Sequence, residues 1–297
     1  MKFEHVFLVG TGGIGSNLVE PLVRMLAYHN DGTKNVTLID GDEYEEKNQI
    51  RQLFDARFVG VNKAKATAQR IAEALIPVQS HEEYINKNKF IDLAHKTLND
   101  TKAPFLVVTA VDNHATRKAI IEALDEAEFP NFVFLSGGNG YSNGQILVYA
   151  KIQGEAGTVH PFDKYDDLKY PTDHIPGDPG CQDEAPAEPQ LITANAAAAL
   201  GLLWTVQAML DNAEWYEELH FDSVRMKLMP QGPAIKFPSL EEETSEEQTE
   251  EVEEEAVMEV KALPDETPDV VEDDTVNEEP VEDDNDETEV AAEPATV

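Results

Sequence analysis

Short apolar runs alternate with longer amphipathic stretches over most of the chain. Runs of four to seven residues at 3–9, 36–39 and 105–111 have the length and composition of buried strands. After the first run, apolar residues recur at helical spacing. The pattern predicts a first helix that begins near residue 14. It predicts four more helices, over 63–75, 90–98, 115–127 and 190–210.

The second half of the pattern predicts three further strands. Two lie at 132–135 and 145–152, and a last alternating strand lies at 219–228. Between the second and third, residues 155–187 are rich in Pro, Gly and Asp, without periodicity, which is typical of a functional crossover loop or of a mobile segment. The alternation of strands and helices predicts a Rossmann-like, doubly wound α/β sheet, mostly parallel, with antiparallel strands towards its C-terminal end.

Charge divides the chain near residue 240. The formal net charge is −37, and residues 241–297 hold 26 acidic residues, one lysine and no aromatic residue. Such a segment buries too little apolar surface to offset the entropy of ordering it. We therefore predict an α/β domain over 1–240 and an acidic disordered tail over 241–297.

Composition also excludes several classes of partner. An acidic domain repels phosphate backbones at long range, so no nucleic-acid partner is expected. No apolar stretch reaches about 18 residues without a polar interruption, so no membrane span is expected, and the first strand begins too early to leave room for a signal peptide. We expect a cytoplasmic protein that does not contact membranes. Cys181 is the single cysteine, so no internal disulfide forms.

A glycine-rich loop follows the first strand. Its sequence is Gly10-Thr11-Gly12-Gly13-Ile14-Gly15. Glycines at these positions let a backbone approach a phosphate, and the N-terminus of the following helix favours negative charge. Asp40 ends the second strand, where an acid accepts hydrogen bonds from ribose hydroxyls. These two features fit NAD and ATP equally well.

The polar segment after Asp40 distinguishes an ATP site from an NAD site. Asp42 is followed by Asn48-Gln49-Ile50-Arg51-Gln52, and Lys63 opens the next predicted helix. Attack at an α-phosphate builds negative charge and expels pyrophosphate, and clustered Arg and Lys side chains stabilise that charge. A dinucleotide dehydrogenase has no need for them here.

In order and spacing, these residues resemble the ThiF/MoeB/HesA family of the ubiquitin-activating-enzyme-like superfamily. Its members carry D-x-D, then N-x-x-R-Q, then a lysine that opens the next helix. The resemblance covers about residues 3–230. It implies an adenylyltransferase that uses ATP and Mg²⁺ to adenylate the C-terminal carboxylate of a protein or peptide. The implied partner is a ubiquitin-like or sulfur-carrier protein, or a peptide, with a flexible C-terminus.

The resemblance also implies a set of site residues. The nucleotide-binding residues are Gly10, Gly12, Gly13, Gly15, Asp40, Asp42, Asn48, Arg51, Gln52 and Lys63. The catalytic residues are Arg51, Lys63, Asp112 and Cys181.

Asp112 and Cys181 each have a second interpretation. Asp112 follows the strand 105–111, where a carboxylate can hold Mg²⁺, but it can also cap the helix 115–127; both can be true. Cys181 lies where some relatives hold a cysteine that accepts the acyl group. It can equally be an incidental thiol, because the acidic residues around it raise the pKa of a thiol.

Two departures from the family pattern are visible. One cysteine cannot supply the two Cys pairs with which many members bind zinc, so no zinc is expected, and His160 and His174 are interpreted as ordinary loop histidines. The sequence starts at its first strand, without the N-terminal helix that carries an arginine into a neighbouring subunit, so a homodimer stays open. Two alternative functions also stay open: an NAD-dependent Rossmann oxidoreductase, and a nucleotide-binding scaffold of the same fold that has lost its chemistry.

Overall fold

The computed structural model describes most of the predicted α/β domain. The described residues are 1–29, 32–50, 52–53, 55–71, 76–99, 102–177 and 190–237. Arg51, Cys181, the predicted boundary at residue 240 and the predicted tail all lie outside them.

The described strands form one mixed sheet. They are β1 (His5–Val9), β2 (Asn35–Ile39), β3 (Val78–His81), β4 (Phe105–Thr109), β5 (Phe132–Asn139), β6 (Asn143–Ile152), β7 (Glu155–Ala156), β8 (Trp215–Asp222) and β9 (Lys227–Ile235). Their order is β3-β2-β1-β4-β5-β6-β8-β9, and β7 pairs with β6. The first five strands in this order are parallel, and the remaining pairings are antiparallel. The predicted doubly wound sheet with antiparallel C-terminal strands is confirmed.

Helices cover both faces of this sheet. They are α1 (Gly13–His29), α2 (Lys63–Arg70), α3 (Lys87–Leu98), α4 (His114–Glu126), α5 (Pro161–Lys164), α6 (Asp166–Lys169) and α7 (Ile192–Leu210). Alternate residues of β1 show how the core divides. Val6 and Leu8 pack with α1 and α7, whereas Phe7 and Val9 pack with α3 and α4.

Helix α7 is long and apolar enough, by length and composition alone, to cross a membrane. In the structure it packs against α1, β5, β6 and β8, and about half of it is buried. Buried core helices have the same composition, so α7 is explained by its place under the sheet.

Asparagine side chains set the starts of three helices. Asn62, Asn86 and Asn113 precede α2, α3 and α4, and each side-chain oxygen accepts a hydrogen bond from a backbone N–H in the first turn of the helix. Such caps satisfy N–H groups that the helix itself leaves unpaired. They fix the N-termini of α3 and α4 beside the carboxyl ends of the parallel strands.

Two predicted segments differ from the structure. The single strand predicted at 219–228 is the middle of a hairpin: β8 begins at Trp215, and the chain turns back to β9 through Met226, whose φ is 51°. The predicted crossover loop, 155–187, contains β7, α5 and α6 in its described part. Lys164 of α5 ties this part to β8 through ion pairs of 2.6 Å with Glu217 and 2.8 Å with Glu218.

The two outer strands of the sheet are unlike the inner ones. β3 has four residues, and Glu82 and Glu83 follow it directly. β9 is largely exposed and carries Pro230 and Pro233.

Candidate functional site

The glycine-rich loop makes a tight turn between β1 and α1. Gly10 has a φ of 91°, and a Cβ added there would lie 2.8 Å from the carbonyl oxygen of Ala110. A Cβ on Gly15 would lie 2.0 Å from the carbonyl oxygen of Gly10. Only glycine fits either position. The loop therefore holds the N-terminus of α1 close to the ends of β1 and β4.

Asp40 orders the glycine loop from the end of β2. Its Oδ2 accepts hydrogen bonds from the Thr11 backbone N–H at 2.7 Å and the Thr11 hydroxyl at 2.9 Å, and its Oδ1 accepts one from the Asp42 N–H at 2.9 Å. Burial raises the pKa of Asp40, and the nearby charge of Lys63 opposes this. A carboxylate has about four acceptor positions, and these hydrogen bonds fill three of them.

Lys63 and Asp42 form an ion pair beside Asp40. The Lys63 side chain, at the first residue of α2, is only 9% exposed, and its Nζ lies 2.6 Å from Oδ2 of Asp42. Tyr84, which follows β3, donates its hydroxyl to Oδ1 of Asp42. Burial acts to raise the pKa of Asp42, but the charge and hydrogen bond of Lys63, with the Tyr84 hydroxyl, outweigh it and lower the pKa. The carboxylate is therefore ionised and keeps a buried cation in place.

Asn48 and Gln52 have different surroundings. The side-chain oxygen of Asn48 accepts a hydrogen bond of 2.8 Å from the Glu45 N–H, inside a short 3₁₀ segment. Gln52 lies against the glycine loop, where a Cβ on Gly12 would be 3.7 Å from its Nε2. Its Oε1 is buried and has no hydrogen-bond partner among the described residues. Buried acceptors are rarely left unpaired, so the Gln52 oxygen is a candidate contact for a ligand at the loop.

Asp112 stands at the same edge, between β4 and α4. Its side chain is exposed. The cap of α4 is the neighbouring Asn113, which accepts from the Thr116 N–H at 2.8 Å, so the Asp112 carboxylate is not used for capping. No cluster of three or more potential metal ligands occurs among the described residues. A single carboxylate nevertheless suits Mg²⁺ that is held mainly by phosphates and water.

Two buried side chains near the loop, those of Arg117 and Asn195, belong to no sequence motif. Arg117 is buried and donates to the carbonyl oxygens of Val111 at 2.6 Å and Gly137 at 3.2 Å, which joins the end of β4 to β5. Burial lowers the pKa of Arg117. Asn195 of α7 is fully buried, and a Cβ added to Gly13 would lie 2.7 Å from its amide nitrogen. A lone amide within an Ala-rich helix is the one sign by which Asn195 could have been found.

The crossover segment reaches this edge as well. Asp173 accepts hydrogen bonds from the backbone N–H groups of His114 at 2.7 Å and Ala115 at 2.8 Å. These groups open α4, two and three residues after Asp112, so part of the segment is fixed beside the predicted metal site. Cys181 lies further along, outside the described residues.

The predicted site residues thus come together in large part. The glycine loop, Asp40, Asp42, Gln52 and Lys63 meet at the carboxyl ends of β1 and β2, with Asp112 at the end of β4. Ligands of open α/β sheets bind at such an edge. The profile of the ThiF family matches residues 1–226 of this chain.

The chain belongs to the ThiF family.

Solved structures share the fold of this ThiF-family chain. PaaA is 16% identical, with a TM-score of 0.53 over 77% of the chain and 64% of PaaA. MccB of E. coli, in a structure with ATP, is 18% identical, with a TM-score of 0.50 over 79% of the chain and 65% of MccB. The chain therefore spans just under two thirds of the length of either protein. No curated protein matches it.

Proposed function

We propose that this ThiF-family protein binds ATP and adenylates the C-terminal carboxylate of a peptide or small protein. Family membership, and a fold shared with an MccB structure that contains ATP, support nucleotide binding. A further MccB structure contains both AMPCPP and MccA. The observation that carries the proposal is the ion pair that the buried Lys63 forms with Asp42 beside Asp40, because a nicotinamide enzyme has no use for a buried lysine there.

Each residue has a role in that reaction. The glycine loop would receive phosphates, and the remaining acceptor position of Asp40 would receive a ribose hydroxyl. Lys63 and Arg51 would stabilise the charge that develops on the phosphates. Asp112 would hold Mg²⁺, which supplies further charge neutralisation.

The bond changes balance without another reagent. A carboxylate oxygen of the acceptor attacks the α-phosphorus of ATP, and a new P–O bond forms. The bond from that phosphorus to the bridging oxygen of the β-phosphate breaks, and pyrophosphate leaves with its electron pair. The products are an acyl-adenylate and pyrophosphate.

Two finer statements belong to the same proposal. The acceptor is of the ubiquitin-like or sulfur-carrier type, or a peptide with a flexible end. In a second step the Cys181 thiolate attacks the acyl carbonyl, forming a thioester and releasing AMP. Cys181→Ser separates the steps: pyrophosphate exchange should persist, and a thiol-sensitive adduct with the acceptor should be lost. Full formation of that adduct in the variant would remove Cys181 from the reaction.

The test compares two neighbouring lysines of α2. Lys63→Met removes the buried charge, and Lys65→Met removes an exposed one that pairs with Glu82 at 3.2 Å. Losing a charge-assisted contact costs about 1.5–3 kcal/mol, so Lys63→Met should weaken ATP·Mg²⁺ binding at least tenfold in calorimetry. Lys65→Met should bind as the parent does.

Unfolding curves of both variants would show whether the fold is kept. Tight NAD binding by the parent that Lys63→Met leaves unchanged would favour the oxidoreductase. ATP binding without pyrophosphate exchange, in the presence of the acceptor that co-purifies with the protein, would favour the scaffold.

A further inference from the structure

Residues 171–177, here called the strap, run from the start of α4 to the ring of Tyr84. Asp173 binds the first N–H groups of α4. Four residues later, Gly177 packs on the ring of Tyr84, where an added Cβ would lie 2.8 Å from a ring carbon. The strap therefore contacts the segment after β3 and the start of the helix after β4.

Tyr84 joins the strap to the ion pair. Its ring also packs on Gly41, where an added Cβ would lie 2.5 Å from ring carbons. Its hydroxyl donates to Asp42, which in turn pairs with Lys63. One side chain thus contacts the strap, the turn after β2 and the carboxylate that holds Lys63.

A cavity borders this contact. It has a volume of about 290 Å³ and is lined in part by Gly41, Tyr84, Asn86 and strap residues Ile175 and Gly177. The Tyr84 ring is one wall, and the strap is another. A displacement of Tyr84 would therefore change both the cavity and the strap.

The charges explain why Tyr84 matters when a ligand binds. If Lys63 turns towards phosphates, its contact with Asp42 weakens. The Asp42 side chain is 43% exposed, and the hydroxyl of Tyr84 is then the fixed donor that keeps it in place. A hydrogen bond to a carboxylate is stronger than one between neutral groups. The Tyr84 hydroxyl therefore contributes more to holding Asp42 in place when Lys63 contacts phosphates.

We propose that Tyr84 is a positioning residue that couples occupation of the nucleotide site to the strap. This inference rests on the proposed function for the identity of the ligand, ATP. The contact between Tyr84 and the strap is present without any ligand. Coupling between two sites is reciprocal: if ATP tightens the strap through Tyr84, an anchored strap strengthens ATP binding by the same factor.

The first experiment measures, without nucleotide, hydrogen exchange at the His114 and Ala115 amides, which donate to Asp173 of the strap. It uses the full chain with Tyr84→Ala, Tyr84→Phe and Tyr149→Phe, the last removing a matching Tyr–Asp hydrogen bond of 2.7 Å to Asp125. Tyr84→Ala should speed exchange about tenfold or more, since it loses both ring and hydroxyl. Tyr84→Phe keeps the ring and should show a smaller increase. Tyr149→Phe should match the parent.

The second experiment repeats the exchange with ATP·Mg²⁺ and measures ATP affinity. ATP should slow exchange of the His114 and Ala115 amides in the parent, and much less in Tyr84→Phe, which should bind ATP about three- to tenfold more weakly. With a turnover assay, KM for ATP should rise more than kcat falls.

The two proposals fail in different ways. A parent that binds no ATP ends the proposed function, while the nucleotide-free experiment still decides whether Tyr84 anchors the strap. A parent that binds ATP, with Tyr84→Ala unchanged in exchange and affinity, overturns the inference.

Discussion

At the scale of single residues, burial decides which charges the domain carries inside. Lys63 stays paired because Asp42 lies 2.6 Å away. His5 has no such partner: it is buried in β1, and its Nε2 lies 3.0 Å from the Thr37 hydroxyl. Burial lowers the pKa of His5 from 6.5 to about 4, although the charge of Glu4 opposes this. His5 is thus neutral in the folded chain where an unfolded histidine is already protonated.

This difference gives the free energy of unfolding a dependence on pH. Between pH 6.5 and about 4 the unfolded chain binds a proton at His5 that the folded chain does not, so stability is lost as pH falls through that window. From neutral pH to about pH 5, the loss due to His5 should be about 2 kcal/mol. Urea unfolding of the parent and of His5→Gln at both values measures it.

The exposed His174 supplies the control for this prediction. His174→Gln should lose as much stability on acidification as the parent, whereas His5→Gln should lose less. Equal losses in all three proteins would show that His5 does not remain neutral in the fold.

At the scale of elements, the junction of β1 and α1 is limited by backbone contacts. A Cβ on Gly15 would overlap the carbonyl oxygen of Gly10 at 2.0 Å, whereas a Cβ on Gly12 would meet nothing nearer than 3.7 Å. The two glycines therefore have different roles. Gly15 is required because the loop packs on its own backbone, whereas Gly12 leaves space in front of the loop.

Alanine at the two positions should separate these reasons. Gly15→Ala forces backbone apart and should lower the free energy of unfolding by about 3 kcal/mol or more. Gly12→Ala should change it by no more than about 0.5 kcal/mol and should weaken ATP binding instead. Denaturant unfolding and calorimetry give the two numbers. A Gly15→Ala protein as stable as the parent would mean that the loop can take another path.

The elements that the sequence predicts well are those whose signal is local. β1, β2 and β4 are continuous apolar runs, and the glycine loop and Asp40 directly follow two of them, so both fold class and the first half of the site could be predicted. β8 could not be placed, because Glu217 and Glu218 interrupt its apolar pattern and their buried charges are paired by Lys164, over 50 residues away. The turn at Met226 lacks glycine, so the hairpin was missed.

The same limit applies to the site. Tyr84, Arg117, Asp173 and Asn195 reach it through contacts between distant segments. Their residue types carry no motif, and only the fold brings them to the edge where β1, β2 and β4 end. Sequence patterns identify groups that follow a strand directly, and they miss groups that arrive by packing.

At the scale of the whole molecule, charge is concentrated at one end of the chain. Residues 1–240 hold 33 acidic and 21 basic residues, against 26 and one in 241–297. We propose that 241–297 is dispensable for folding and nucleotide binding. A chain that ends at Leu240 should keep the melting temperature and ATP affinity of the full chain, measured at matched ionic strength because exposed charges are screened by salt. A large fall in melting temperature would place the domain boundary later.

The prolines of β9 affect whether copies of the protein can associate through the edges of their sheets. An open sheet ends in strands whose free N–H and C=O groups can pair with another chain and seed filaments. Proline has no N–H to offer, so Pro230 and Pro233 interrupt the row of donors along β9. At the opposite edge, β3 is only four residues long, which limits the pairing that it offers to another chain. Both edge strands of the sheet are therefore poor partners for strand addition, which disfavours fibril formation.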